Sequence, residues 1–184
     1  MDLIRQEILN CTKCELCKGR IHAVPGEGAI NARIMFVGEA PGQNEDQQGI
    51  PFCGASGKLL DLMLESISLK REDVFITNIV KCRPKGNRDP EKIEIDTCSK
   101  YLKRQILLVN PKVICTLGRF SMNLFFPDFS ISKVHGQIFK LSKFKIIPLY
   151  HPAVGLYKDS MKETLFSDFK ILKQFTTIKP KEFS

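Results

Sequence analysis

The sequence predicts an α/β domain built on a mainly parallel sheet. Two observations carry this. Four short apolar runs, rich in β-branched residues, each end in a Gly, Pro or polar signal, which favours buried strands over helices. Stretches with helical spacing lie between them, and strands that alternate with helices pair in parallel through crossover connections. A length of 184 residues falls within the roughly 100–200 residues of one domain. Residues 1–184 are therefore expected to form a single domain that closes a core without disulfide staples.

In chain order, a cysteine-rich and turn-rich segment comes first: Cys11-Thr-Lys-Cys14-Glu-Leu-Cys17, then Val24-Pro-Gly-Glu-Gly28. Residues 33–37 (RIMFV) form the first strand. Residues 57–67 form a helix, because Leu59, Leu60, Met63, Leu64 and Ile67 share one face. Residues 74–77 are the second strand. Residues 90–109 are a helix that starts with Pro90 in its first turn and turns Ile93, Thr97, Tyr101 and Ile106 or Leu107 inward. Residues 113–117 are the third strand, and 120–126 a short helix closed by Pro127. Residues 134–144 alternate as a small hairpin before the fourth strand at 145–150. Residues 160–175 close the chain as an amphipathic helix with Leu165, Phe169 and Leu172 toward the core.

With 28 Lys+Arg against 20 Asp+Glu, the net charge is +8. A balance of that size suggests a polyanionic partner, nucleic acid first and an acidic membrane surface second. No apolar run reaches membrane-span length. The first residues carry Asp2 and no apolar core ahead of the cysteines, unlike a secretory signal, so a cytoplasmic location is expected. Seven cysteines in a reducing compartment read as metal ligands or buried thiols rather than disulfides.

Ligands of open α/β sheets bind outside the carboxyl ends of the strands. Those positions hold Gly38-Glu-Ala-Pro-Gly42 with Gln43-Asn-Glu-Asp46, Asn78 with Lys81-Cys-Arg-Pro84, Gly118 with Arg119, and His151-Pro-Ala153. Gly38 and Gly42 allow backbone to approach a ligand closely. Gln43 and Asn44 stand where a Walker loop needs Lys and Ser/Thr, which disfavours phosphoryl transfer from a nucleoside triphosphate. His151 precedes a proline and so is extended, as at a strand end. Asn78 offers a base edge both donor and acceptor. Phe52, between Pro51 and Gly54, reads as a core plug or as a stacking plate for a planar ligand. Cys11 and Cys14 form a C-x-x-C pair, with Cys82 and Cys98 far along the chain; Cys14 with Cys17 is an alternative register. Four thiolates of this kind suit an all-cysteine zinc site or an iron–sulfur cluster. Residues 81–112 carry nine Lys/Arg, Lys81 among them, against four acids, which reads as a solvated helix face or as a phosphate-gripping loop from Arg83 to Arg88.

Taken together, Gly38-Glu-Ala-Pro-Gly-Gln-Asn-Glu-Asp46, Gly49-Ile-Pro-Phe-Cys-Gly54, Ile76-Thr-Asn-Ile-Val-Lys-Cys-Arg-Pro84 with Asn87-Arg88, and Tyr150-His-Pro-Ala153 resemble the family 4 uracil-DNA glycosylases. The resemblance runs over nearly the whole chain. It implies a three-layer α/β/α fold around a four-stranded parallel sheet. It also implies a [4Fe–4S] cluster on Cys11, Cys14, Cys82 and Cys98, with Cys17, Cys53 and Cys115 left as non-ligands. The implied reaction hydrolyses the uracil–deoxyribose bond of uracil-containing DNA, and the implied state is a monomer. The implied uracil pocket comprises Gly38, Ala40, Phe52, Asn78 and His151, with Glu39, Glu45 and His151 as the catalytic groups. Arg83 and Arg88 are expected to contact DNA, and Leu156 matches the position of an intercalating wedge, although Val154-Gly-Leu-Tyr157 departs from the usual Leu-Leu-Arg pattern. The branch that traps uracil-DNA covalently carries a basic His-containing insertion where this chain has Cys82-Arg-Pro84. The rival from another class is a non-catalytic iron–sulfur or zinc nucleic-acid-binding module of the same fold.

Overall fold

The computed structural model describes residues 1–141 and 143–176. Four parallel strands form the centre: β2 (Ile34–Gly38), β3 (Phe75–Asn78), β4 (Val113–Leu117) and β6 (Phe144–Leu149). Two short antiparallel strands, β1 (Glu27–Gly28) and β5 (Phe139–Leu141), extend the sheet to six, in the order β1-β3-β2-β4-β6-β5. The expected four-stranded sheet is thus the parallel part of a wider one. The edges escape pattern reading because β1 has two residues, half-buried and exposed, and β5 is mostly exposed. Neither carries a buried alternation to read.

Successive residues of the central strands serve opposite faces. Ile34, Phe36, Ile76, Val113, Cys115 and Ile147 pack into one core, and Met35, Val37, Phe75, Ile114 and Ile146 into another. Both faces being covered explains why these strands read as continuous apolar runs. The first core is closed by α4 (Ala55–Glu65), whose Leu59, Leu60, Met63 and Leu64 are buried, and by α9 (Ser160–Lys170). Phe36 and Phe169 stack there with ring centroids 5.5 Å apart. The expected helix over 160–175 is broken after Lys170 and resumes as α10 (Lys173–Thr176), but Leu165, Phe169 and Leu172 face inward as predicted. Among the described residues, no helix is long and apolar enough to cross a membrane.

The second core is closed by α1 (Asp2–Leu9) and α5 (Lys92–Val109). One element here is not anticipated and one prediction needs correction. α1 precedes the cysteine-rich segment, where the sequence reading places no element; it buries Ile4 and Ile8, and Glu7 pairs with Arg104 of α5. In α5 Tyr101 is buried and Ile106 packs against this core as expected, but Ile93 and Leu107 are 66% and 78% exposed, and Glu94, Cys98, Ser99, Leu102, Gln105 and Val109 are the other buried residues. The buried face carries polar groups that serve specific partners, so apolar spacing reads only part of it. The expected hairpin over 134–144 is half right. β5 pairs with the start of β6, but the chain enters through α7 (Ile131–Val134). That segment is held by a hydrogen bond from the Gly136 amide to the Pro148 carbonyl and by His135 Nδ1 at 2.8 Å from Asp168 Oδ2.

Candidate active site

The chain leaves β2 toward β3 on one side and returns to place β4 on the other. This reversal of strand order is where a crevice opens at the carboxyl ends. A cavity of about 380 Å³ lies there, and Glu39, Ala40, Glu45, Phe52, Asn78, Arg88 and His151 all line it. Gly38 sits directly behind. A Cβ on it would lie 2.3 Å from Asn78 Oδ1 and 2.7 Å from Phe52 Cζ, so only glycine leaves room for both side chains. Ser56 and Asn87 also line the cavity. Sequence reading passes over Ser56, because a serine in a helix's first turn ordinarily reads as local capping.

Phe52 adopts a left-handed backbone, φ 50°, which costs roughly 1–2 kcal/mol for an L-residue. Arg71 holds it there, donating to Pro51 O at 2.5 Å and Phe52 O at 3.1 Å. Glu27 and Asp61 fix the guanidinium in turn, at 2.8 and 2.9 Å. On the other side, a Cβ on Gly57 would come within 1.6 Å of Phe52 O, so α4 presses against this loop only because Gly57 has no side chain. Arg71 is a positioning residue that sequence reading misses, since its partners lie in separate segments.

Asn78 ends β3 and is buried. Its Oδ1 has no hydrogen-bond partner; among the described residues the only other such buried atom is Thr116 Oγ1. Its backbone is anchored from below by Lys81, whose ammonium donates to Asn78 O at 2.6 Å, Thr77 Oγ1 at 2.6 Å and Gln105 Oε1 at 2.7 Å. In the sequence Lys81 counts among the basic surface residues, but it is fully buried, and burial pushes its amine down to about 7. Three acceptors meet its three donors, which a buried ammonium requires.

His151 follows β6. Its Nδ1 accepts the Ala153 N–H at 3.1 Å, so in the neutral ring Nε2 carries the proton and is the donor. Burial pushes the ring's pKa down to about 4, with Glu45 opposing that shift. The ring lies 5.5 Å from that of Phe52. Glu45 belongs to α3 (Gln43–Gln48), and its Oε1 accepts the Gly54 N–H at 3.2 Å. Glu39 is half-buried. Burial pushes its carboxyl up to about 7, helped by Asp89 and opposed by Arg119.

The remaining expected residues lie around the rim. Arg83 donates to Asn87 Oδ1 at 2.7 Å, and Arg88 grips Glu94 with both terminal nitrogens, at 2.7 and 3.0 Å. Arg88 thus ties the 84–88 loop to α5 as well as facing the cavity. Leu156 lies on α8 (Val154–Tyr157) and is 45% exposed; neighbouring Tyr157 is 90% exposed.

Below the pocket, Cys11, Cys14, Cys17, Cys82 and Cys98 surround one small void, also lined by Ile8 and Tyr101. Arg20 donates to Cys82 Sγ at 3.0 Å and the Lys81 amide to Cys98 Sγ at 3.3 Å. Among the described residues, no group of three His, Cys, Asp or Glu is placed to hold a single metal ion. Cys115 is buried within β4, and neither it nor Cys53 lines the void.

A doubly covered parallel sheet with this pocket at its switch point defines a class. Residues 25–171 match the family model described as the Uracil DNA glycosylase superfamily. The chain is 48% identical to a type-4 uracil-DNA glycosylase of Sulfurisphaera tokodaii, over all of this chain and 88% of that protein. It is 49% identical to one of Archaeoglobus fulgidus, over 92% of this chain and 90% of that one. It is 39% identical to one of Thermotoga maritima, over 95% and 94%. The chain belongs to the uracil-DNA glycosylase superfamily and, within it, to the type-4 family.

Proposed function

We propose that this protein excises uracil from DNA, hydrolysing the N-glycosidic bond and leaving an abasic site, as a single domain over residues 1–184 that acts as a monomer. The observation that carries the reading is the unpartnered, buried Asn78 Oδ1 at the cavity. A buried acceptor without a donor costs about 1–3 kcal/mol, and the N3–H of uracil is the donor it lacks. Cytosine presents an acceptor at N3 and is rejected.

The base reaches this depth only when flipped out of the stack. Phe52 stacks on the flipped ring, and Gly38 and Ala40 bring backbone close to its edge. As the glycosidic bond breaks, charge moves onto uracil O2, where the Nε2–H of His151 donates. That interaction is stronger in the transition state than in the ground state, which is what accelerates a reaction. The sugar becomes cation-like. Glu45, fixed by the Gly54 amide, stabilises it and orients the incoming water, with Glu39 as the second carboxylate at the site. Arg83 and Arg88 contact phosphates, and Leu156 fills the gap left by the flipped base.

The cysteine set fits a [4Fe–4S] cluster. Five thiols share one void and two receive N–H donors, an all-thiolate set of the kind that holds such a cluster. Cys11, Cys14, Cys82 and Cys98 are its ligands in this reading. When bound, the cluster supplies a cross-link between the N-terminal segment, the loop beyond β3 and α5.

Uracil release tests the proposal directly. The protein is expected to free uracil, and not cytosine, from synthetic oligonucleotides. Asn78→Ala should lower single-turnover excision roughly 10–100-fold, the value of one or two bonds to a buried group. Absence of release from both single- and double-stranded uracil-DNA would leave the fold as a binding module.

Glu39 sets the pH response. Its pKa of about 7 means that the ionised form grows as pH rises through neutrality, so excision should climb between about pH 6 and 8. Glu39→Gln should flatten that limb, as a pH–rate profile will read. The stability sign is opposite. The folded state keeps a proton that the unfolded chain releases near 4.5, so this group's contribution to stability falls as pH rises from there to about 7.

A further inference from the structure

A cluster of cations without ion-pair partners among the described residues lies away from the pocket, at the amino-terminal rim of the sheet. Arg33 and Lys112 immediately precede β2 and β4, and Lys145 is the second residue of β6. Lys112 N–H donates to Arg33 O at 2.8 Å and Lys145 N–H to Lys112 O at 3.1 Å, so the three strand starts are knitted side by side. Lys140 sits directly opposite Lys145 in the β5–β6 pair. Arg33 and Lys112 lie one residue before the register position shared by Ile34, Val113 and Lys145, so the four cations lie on neighbouring strands at the same end of the sheet. With Lys143 they surround a cavity of about 350 Å³ that no carboxylate lines among the described residues. Among the described residues, none of the five takes part in an ion pair. Phe175 steadies two of them: its carbonyl accepts from Arg33 Nε at 2.8 Å, and Lys145 Nζ lies 5.0 Å from its ring centre.

Like charges placed across paired strands repel and destabilise a sheet. Among the described residues no acid relieves that cost, which an anionic ligand would do. At the pocket mouth the situation is reversed: Arg88 is held by Glu94, and Arg119 lies 3.4 Å from Asp89. Lysines act as flexible point charges suited to successive phosphates, and a row of them matches a linear polyanion better than a single small anion. The rim and the pocket are separated by the length of β2, five residues or about 17 Å, and they face opposite ways.

We propose that this basic rim is a second nucleic-acid site, which takes the backbone phosphates of a DNA segment other than the one whose base occupies the pocket. It gives the protein a hold on a neighbouring segment while the first is searched. The inference goes beyond the glycosylase reading and rests on it only for the first segment, because charge alone drives binding at the rim.

The test uses the full chain saturated with a short duplex that carries an uncleavable deoxyuridine analogue. A fluorescent, uracil-free duplex is then added, and its binding is followed by anisotropy across salt concentrations. The saturated protein should bind the second duplex. Lys112→Gln/Lys140→Gln/Lys145→Gln should lower the slope of log affinity against log salt by about one for each phosphate no longer neutralised. Single-turnover excision of a short uracil substrate should stay at the wild-type rate. Lys140→Gln/Lys143→Gln, two exposed positions, provides a variant that spares the central strands and should lower the slope by about two. No second binding event, or an unchanged slope in both variants, overturns the proposal. So does occupancy by polyglutamate or inorganic phosphate in place of DNA, which would assign the rim to an acidic protein or a small anion. Loss of excision with second-site binding intact would instead strike the proposed function alone.

Discussion

His151→Ala is expected to slow single-turnover uracil excision by about 10²–10³-fold, the usual cost of removing one preorganised donor, while affinity for an uncleavable analogue stays near wild type. The split follows from where charge develops. Neutral uracil asks little of Nε2–H in the ground state, whereas the departing anion needs a donor at O2. The geometry prepares that donor. The Ala153 amide occupies Nδ1, which places the proton on Nε2, and burial keeps the ring neutral down to about pH 4. No reorganisation of ring or tautomer is needed during the reaction. The same burial gives a pH signature. The ring's contribution to stability is complete above its ordinary value of 6.5 and is lost as pH falls through about 4. A pH–rate limb near 7 therefore belongs to Glu39 and should survive in His151→Ala. Wild-type excision with weakened analogue binding would make His151 a positioning residue. Wild-type values for both would move the donor role to a backbone amide of the loop after β2.

The second large effect concerns the cysteines. The purified protein should be brown and carry about four irons per chain, as a thiolate-held [4Fe–4S] cluster requires. Cys82→Ala and Cys98→Ala should each lose the iron and lower the melting temperature sharply. These residues hold the loop after β3 and α5, and through the same segment Lys81 reaches Asn78 O and Gln105. Losing the cross-link frees a long loop and loosens the floor of the pocket, so uracil excision should fall with it. Cys115→Ala should keep its iron, because that thiol lies within β4, away from the void. Cys11 and Cys17 line the same void, so their alanine variants decide the register. Iron retained in Cys11→Ala and lost in Cys17→Ala would replace Cys11 with Cys17 in the ligand set. A colourless protein with one zinc would remove the cluster altogether.

The four parallel strands are legible from residues alone. They are buried on both faces, so any short β-branched run shows them without a phase to identify. Once they are placed, their carboxyl ends point to Gly38, Asn78 and His151 without further information. α4 and α9 are legible for a related reason: each buries an apolar stripe against a single core, and their periodicity survives in the sequence.

Where buried positions are polar, that legibility ends. The inward face of α5 holds Glu94 and Gln105 because Arg88 and Lys81 need acceptors there, and hydropathy reads such positions as solvent-facing. Lys81 itself looks like one more surface cation in a basic run, yet three acceptors brought from two segments make its burial stable. Arg71, which sets the backbone of Phe52, and the edge strands β1 and β5 are equally hidden. By itself, the sequence determined the central strands, the amphipathic helices and the set of residues collected at one sheet edge, because apolar periodicity and strand ends are local properties of the chain. Only the tertiary structure decided which polar side chains are buried, how Phe52 and Asn78 are held, and where the unpaired cations gather. Satisfying or leaving unsatisfied a polar group depends on partners many residues away, and no local pattern contains them.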